Sequence, residues 1–98
     1  MNVKFSFYSV EVENTKTCCF NELISVRYFS NYSDAELIFS NMLENYKKKK
    51  HKVIVLDEEI IRKINEEFYD EKIKSRIIKR FDNLTTHEWV YLKELFVE

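Results

Sequence analysis

The sequence of 98 residues contains no glycine and no proline, and its single alanine is Ala35. Because average proteins hold about 7% glycine and about 5% proline, this absence excludes whole classes of motif. Glycine-rich phosphate loops, dinucleotide-binding turns and the nucleophile elbow of hydrolases all need a residue without Cβ where the backbone meets the ligand. We therefore expect no phosphate-cradling enzyme. Tight turns must be made by Asn, Asp and Ser, which tolerate the left-handed region.

The residues that are abundant instead, among them Lys, Asn, Ile, Phe and Tyr, are those of AT-rich codons. This composition indicates an AT-rich microbe, phage or virus as the source. There is no apolar run of 18 residues, and the first residues lack the apolar core of a signal peptide. We therefore expect a single α+β domain over residues 1–98 that acts in the host cell cytoplasm and does not contact a membrane.

Cysteine is scarce, and its spacing excludes the usual uses of this residue. Cys18 and Cys19 are adjacent, which makes a disulfide between them strained. Together with His51 and His87 they match the ligand count of a zinc site, but neither pair has zinc-finger spacing. The sequence therefore predicts two free thiols, no metal site and no cofactor.

The N-terminal third has the alternating pattern of strands. Val3 to Glu13 predicts a first strand, and a phase change at Phe7-Tyr8 predicts a β-bulge in it. Leu23 to Phe29 predicts a second strand paired with the first as a hairpin, although part of this segment also fits a helix face. Because the first strand is long and aromatic, we expect it to be a sheet edge open to another chain.

Helix starts mark the middle of the chain. The capping box Ser33-Asp34-Ala35-Glu36 predicts a helix over residues 34–48. Lys52 to Leu56 predicts a short strand, and Asp57 predicts the N-cap of a second helix. The inward face of the first helix is expected to consist of Ala35, Ile38, Phe39, Met42 and Tyr46.

The last third also predicts helices. A stripe at helical spacing runs through Tyr69, Ile73, Ile77, Phe81 and Leu84, with a break expected at Asp70. A second capping box, Thr85-Thr86-His87-Glu88, predicts the start of a final helix. The predicted fold is α+β: a small mixed sheet of about three strands, the N-terminal hairpin plus one further strand, packed by three to four helices in the order β-β-α-β-α-α-α.

Charge is unevenly distributed although the net charge is only -1. Residues 47–80 hold twelve basic against seven acidic residues, and part of this excess falls on the helix predicted after Asp70. Such a patch is typical of contact with a phosphate backbone and predicts direct RNA contact. The candidate nucleic-acid-binding residues are Lys47, Lys48, Lys49, Lys50, Lys52, Lys72, Arg76, Lys79 and Arg80.

Acidic and aromatic residues predict a second surface, for docking onto a host protein or ribonucleoprotein complex that carries a basic nucleic-acid channel. The candidate partner-binding residues are Tyr8, Glu11, Glu13, Glu22, Tyr32, Asp34 and Glu36. The chain itself is expected to be a monomer or a homodimer.

No set of residues predicts catalysis, so we expect a protein that is not an enzyme. Arg80 and His87 have the Arg-x6-His spacing that loosely resembles the RNase motif of HEPN domains, which implies a metal-independent RNase as a further alternative. In size, charge and lack of motifs the chain resembles, as a class, small anti-CRISPR and other phage anti-defence proteins. The leading hypothesis is a non-enzymatic protein-binding module, encoded by a phage or mobile element, that inhibits a host nucleic-acid-handling defence complex. The alternative is a small RNA- or DNA-binding regulator.

Overall fold

The computed structural model describes residues 5–16, 21–67 and 74–97, which form a five-stranded antiparallel sheet and two helices. The strands are β1 Phe5–Asn14, β2 Glu22–Phe29, β3 Val53–Val55, β4 Ser75–Asn83 and β5 Glu88–Val97. Helix α1, Tyr32–Lys48, joins β2 to β3, and helix α2, Glu58–Glu67, joins β3 to β4. The strand order across the sheet is β2-β1-β5-β4-β3.

The predicted three-stranded sheet packed by three to four helices is therefore wrong. The segment from Ser75 onward forms two further strands, and every neighbouring pair is antiparallel. The prediction that the first strand is a sheet edge is also wrong, because β1 lies between β2 and β5.

The final segment is a strand because both of its faces are covered. Val90 and Leu92 are fully buried on one side, and Tyr91, between them, is 6% exposed on the other. A strand apolar on both faces has no polar alternation to distinguish it from a helix. The predicted capping box is instead a hairpin loop, in which the Asn83 Oδ1 accepts hydrogen bonds from the Thr85 and Thr86 backbone N–H groups at 3.0 and 3.2 Å.

The helical stripe through Ile77 and Phe81 has a related explanation. The pairing of β4 with β5 shifts register between Ile77 and Lys79, so Ile77 and Phe81 lie on opposite faces of the sheet. Their spacing of four residues thus reflects a bulged strand. The predicted break at Asp70 and both cysteines lie outside the described residues.

The first two thirds of the chain agree with most of the sequence pattern. The hairpin of β1 and β2, helix α1, β3 and the start of α2 are confirmed. The Asp57 carboxylate accepts from the Ile60 backbone N–H at 2.9 Å, as an N-cap does. Helix α1 begins earlier than predicted, with Asn31 as its N-cap. The bulge predicted at Phe7-Tyr8 is wrong, since β1 shifts register between Val12 and Glu13, where it faces β2.

Helix α1 crosses one face of the sheet, and we call this the first face. Ala35 and Phe39 are buried against it, and the Phe39 and Phe81 rings meet edge to face with centroids 5.2 Å apart. This confirms the predicted inward face of the helix. The buried core consists of Val10, Val12, Ala35, Phe39, Phe81, Val90 and Leu92. Neither helix of the described residues is both long and apolar enough to cross a membrane.

Candidate functional site

The second face of the sheet, opposite α1, carries a cluster of charged and aromatic side chains. Arg80 lies in it, 8% exposed, with its guanidinium bonded to both carboxylate oxygens of Asp82 at 2.7 and 3.0 Å. The Arg80 Cζ also lies 3.8 Å from the centre of the Trp89 ring. Lys93 pairs with Glu11 at 3.2 Å. Because opposite charges are paired within the chain, this cluster stabilises the sheet and presents little free charge.

Tyr91 extends the same cluster. Its hydroxyl donates to the Glu13 carboxylate at 3.2 Å. Burial, with a further contribution from the Glu13 charge, raises the pKa of Tyr91 well above its ordinary value. A cleft of about 390 Å³ opens beside these residues, between the second face and α2. Its charged groups, Glu13, Arg80 and Lys93, already have partners within the chain, so we assign it no ligand.

The predicted acidic and aromatic surface is divided between the two faces. Glu11 and Glu13 belong to the second-face cluster. Tyr8 and Tyr32 lie on the first-face side, with ring centroids 5.7 Å apart in an edge contact. Asp34 lies in the first turn of α1, where its carboxylate accepts from the Asn31 side chain at 3.1 Å. These residues therefore do not form one surface.

Glu36 and Glu22 complete the predicted acidic set and differ in environment. Glu36 accepts from Lys79 at 3.1 Å and from Ser40 at 2.8 Å. The hydrogen bond from Ser40 lowers the pKa of Glu36 most, and the hydrogen bond from Lys79 lowers it further. The hydrogen bond to Glu36 in turn raises the pKa of Lys79. Glu22 is exposed, and its carboxylate has no hydrogen-bond or ionic partner among the described residues.

The predicted basic patch is only partly assembled. The sequence pattern predicts a helix for its second half, but Arg76, Lys79 and Arg80 lie on the strand β4. Arg80 faces the side of the sheet opposite to that of Arg76 and Lys79. All three are paired with carboxylates, Arg76 with Glu94 at 2.9 Å. Lys72 lies outside the described residues. What remains is the group Lys47, Lys48, Lys49, Lys50 and Lys52, all exposed, which we call the lysine end.

The lysine end is built on the C-terminus of α1. The Lys50 and His51 backbone N–H groups donate to the Lys47 and Tyr46 carbonyls, both at 3.0 Å, in the pattern of a Schellman motif. Lys50 has a φ of 61°, the left-handed conformation that glycine adopts most easily. The His51 ring stacks on the Tyr46 ring with centroids 5.5 Å apart, which closes the motif.

Hydrogen bonds join the lysine end to the loop between β4 and β5. The Lys52 backbone N–H donates to Thr85 Oγ1 at 2.9 Å, and the Lys52 carbonyl accepts from Leu84 at 2.8 Å. Asn83 Nδ2 lies 3.1 Å from His51 Nδ1. Because the oxygen of Asn83 faces two backbone N–H groups, its nitrogen is the donor, and His51 Nδ1 is the acceptor. The lysines thus project from a fixed platform.

A third feature, which sequence reasoning missed, is the outer edge of β2. In the described part of the chain no strand pairs with this edge. Leu23, Ile24 and Tyr28 are 53%, 51% and 62% exposed. The apolar residues of the strand were visible in the sequence, but its position at the edge depends on β5 pairing with β1, which the helical prediction for residues 88–97 concealed.

At the opposite edge the outer side of β3 has no neighbouring strand among the described residues either, but β3 is only three residues long. Beyond it, the Leu56 backbone N–H donates to the Arg80 carbonyl at 3.1 Å, which covers part of β4. Further along β4, the side chain of Asn65 on α2 bonds both backbone groups of Ile77, donating to its carbonyl at 2.9 Å and accepting from its N–H at 2.8 Å. The amide of Asn65 thus takes the place of a neighbouring strand.

The two residues of the RNase alternative have separate roles. Arg80 is held by Asp82 and Trp89 in the middle of β4. His87 lies in the hairpin loop with a φ of 59°, and its carbonyl accepts from the Thr15 backbone N–H at 2.8 Å. The sheet also differs from the helical bundle of HEPN domains, so the resemblance gives no support to an RNase.

Comparisons with known proteins add no relative. No protein-family model matches the sequence, and no curated protein and no solved structure matches the chain either.

Proposed function

We propose that this chain is a non-enzymatic protein-binding module that docks by adding a partner strand to the outer edge of β2. The observation behind this proposal is the contrast between an edge strand of eight residues, whose Leu23, Ile24 and Tyr28 are about half exposed or more, and an opposite edge where β3 has only three residues and Asn65 covers Ile77 of β4. An exposed edge strand is a template for an extended segment, whose backbone supplies affinity and whose side chains supply specificity.

The regular part of the edge defines what the partner strand must offer. The ladder between β1 and β2 is irregular near Ile24, which leaves Ser25 to Phe29 as the uninterrupted stretch. Along this stretch Val26 and Tyr28 face the same side, and the Tyr28 ring contacts Phe7 with centroids 5.8 Å apart. A partner strand with apolar residues opposite Val26 and Tyr28 fits this surface.

Charge favours a different protein over a second copy of this chain. If two copies paired antiparallel along all of Ser25 to Phe29, Arg27 would face Arg27 of the other copy. Like charges directly opposite each other destabilise a sheet. A partner strand with Asp or Glu at that position gains an ion pair instead. The hypothesis from the sequence, that the partner belongs to a host nucleic-acid-handling defence complex and is inhibited, is part of this proposal and draws on the class resemblance alone.

The test is a pull-down with the tagged chain from host lysate, with and without nuclease treatment, followed by titration of the purified partner. Tyr28→Lys places a charge within the uninterrupted stretch of β2, as natural edge strands do to prevent pairing, and Leu23→Lys places one just beyond it. Leu37→Lys is the matched control, because Leu37 is 57% exposed on α1. We expect Tyr28→Lys to lose the partner at least 10-fold, Leu23→Lys to weaken it less, and the control to keep it.

Stability measurements separate docking from folding. We expect Leu23→Lys and Leu37→Lys to change the free energy of unfolding by less than about 0.5 kcal/mol, because both side chains are exposed. Equal retention of the partner by all variants would reject the β2 edge. Retention of nucleic acid alone would reject the protein-binding function.

A further inference from the structure

The lysine end is a second surface, independent of β2, and it lies beside β3 at the opposite edge of the sheet. Its five lysines fall within six residues, and among the described residues the one carboxylate paired with any of them is Glu44, 3.9 Å from Lys47. This isolation contrasts with Arg76, Lys79 and Arg80, which are each held by a carboxylate. The charge of the lysine end is therefore free to act on a ligand.

The conformation of Lys50 points to a role for its charge. A left-handed residue after a helix is most stable as Gly, and Asn is the next choice. The AT-rich composition explains the absence of Gly, but it does not explain Lys at this position, since Asn codons are as AT-rich and the chain contains eight Asn. Lys47 and Lys48 in the last turn already interact favourably with the negative end of the helix dipole. Lys50 thus adds a charge at a position where folding favours a neutral residue.

The residue type and the geometry favour phosphate as the ligand. Lys is depleted from protein interfaces, in which Arg and aromatic residues are enriched, whereas Lys is common in contacts with phosphate. Successive residues of a helix project about 100° apart, so Lys47 to Lys49 radiate around a convex end. A flexible nucleic-acid strand can follow such a surface, while a flat bilayer meets only part of it.

We propose that the lysine end binds the phosphate backbone of a single-stranded nucleic acid without sequence preference. The five lysines contain no Arg to read base edges bidentately, which is why sequence preference is not expected. The acidic remainder of the chain limits the binding to this end, so affinity is modest and strongly dependent on salt.

The experiment measures the fluorescence anisotropy of labelled 20-nucleotide dT and rU oligomers titrated with the full chain at several salt concentrations. Five phosphate contacts predict a loss of affinity on the order of 100-fold between 50 and 200 mM salt. Lys50→Asn should weaken binding about fivefold and lower the salt dependence by about one contact. The combined change of Lys47, Lys48 and Lys49 to Gln with Lys50→Asn should abolish binding.

A stability readout keeps this test independent of folding. Lys50→Gly and Lys50→Asn remove both the charge and the left-handed lysine, so Lys50→Gly should raise Tm by about 2–6 °C while it weakens binding. Lys63→Gln is the charge-matched control, because Lys63 is an exposed lysine on α2. A loss of affinity in Lys63→Gln equal to that in Lys50→Asn would overturn the proposal. An affinity that does not fall as the salt concentration rises would also overturn it. Tighter binding to phosphatidylserine vesicles than to the oligomers would also overturn it.

Discussion

The β2 edge and the β3–β4 edge of the same sheet differ in what faces their outer backbone groups. On the β4 side, β3, the Leu56 backbone and the Asn65 amide each supply hydrogen bonds, and the exposed strand β3 is only three residues long. On the other side, no described strand pairs with the outer side of β2 along its eight residues. One sheet thus combines a short edge that is partly covered by other groups with a long edge that is not.

This difference teaches that protection of an edge is a local property and need not come from a strand. Asn65 sits on a helix, yet its amide reproduces the donor and the acceptor of a neighbouring strand residue. Asn83 has a different role, because its Oδ1 accepts from two backbone N–H groups of the loop at the end of β4. If these two side chains satisfy backbone groups that no strand reaches, their removal should cost stability that changes on β2 do not.

The largest effect is expected for Asn83→Ala. Asn83 is 1% exposed, accepts two backbone hydrogen bonds and donates to His51. Removal of the amide leaves three part-buried hydrogen-bonding groups without their partner, so we expect the free energy of unfolding to fall by about 2–4 kcal/mol. Urea unfolding measures this loss. Asn83→Asp keeps the acceptor and should cost less. A loss as small as that of Leu23→Lys would contradict the role of the Asn83 amide in holding the loop.

A smaller loss is expected for Asn65→Ala. The change leaves the Ile77 N–H and carbonyl without partners, while Ala gains some helix propensity, so we expect a net cost of about 1–3 kcal/mol. Asn41→Ala, at an exposed position of α1, is the matched control and should be neutral or slightly stabilising. Urea unfolding of both variants separates the hydrogen bonds of the edge from helix propensity. Equal behaviour of the two variants would show that the Asn65 amide closes nothing.

The smallest effect is expected for the ion pair between Glu36 on α1 and Lys79 on β4. This pair is a further difference between the two edges, because no described residue of β2 forms an ion pair. The pKa of Glu36 is lowered in the folded chain, so its contribution is present above the ordinary value of 4.5 and is lost as pH falls below it. For this partly exposed pair we expect Glu36→Gln to cost about 0.5 kcal/mol at pH 7. Unfolding at pH 7 and pH 3 should show this cost disappearing in acid. Glu59→Gln, at an exposed α2 pair, is the control.

The sequence was most informative where elements have one polar face. Helix α1 showed its inward residues Ala35 and Phe39 at helical spacing, and Asp57 marked the start of α2. These signals are local, because caps and amphipathic faces depend on neighbours within a few residues. The hairpin of β1 and β2 was recognised for the same reason.

The C-terminal strands were missed because their decisive interactions are distant in sequence. Trp89 lies near Arg80 on the second face while Val90 is buried under α1, so apolar residues follow one another without alternation. The bulge after Ile77 gave β4 a false helical spacing. The same error put Arg76, Lys79 and Arg80 on one basic face, whereas the lysines from Lys47 to Lys52 are close in sequence and stay together, exposed, at the end of α1.

The central position of β1 and β5 has a consequence for the order of events during synthesis. Their ladder pairs Phe5 with Val97 and Asn14 with Glu88, so the middle of the sheet joins its first and last strands in chain order. The core beneath α1 uses Val90 and Leu92 of β5, which are synthesised long after Val10 and Val12 of β1. Pairing over such separations is slow, and the unpaired strands are exposed until it happens. The nascent chain must therefore keep β1 and β2 from aggregating until β5 emerges.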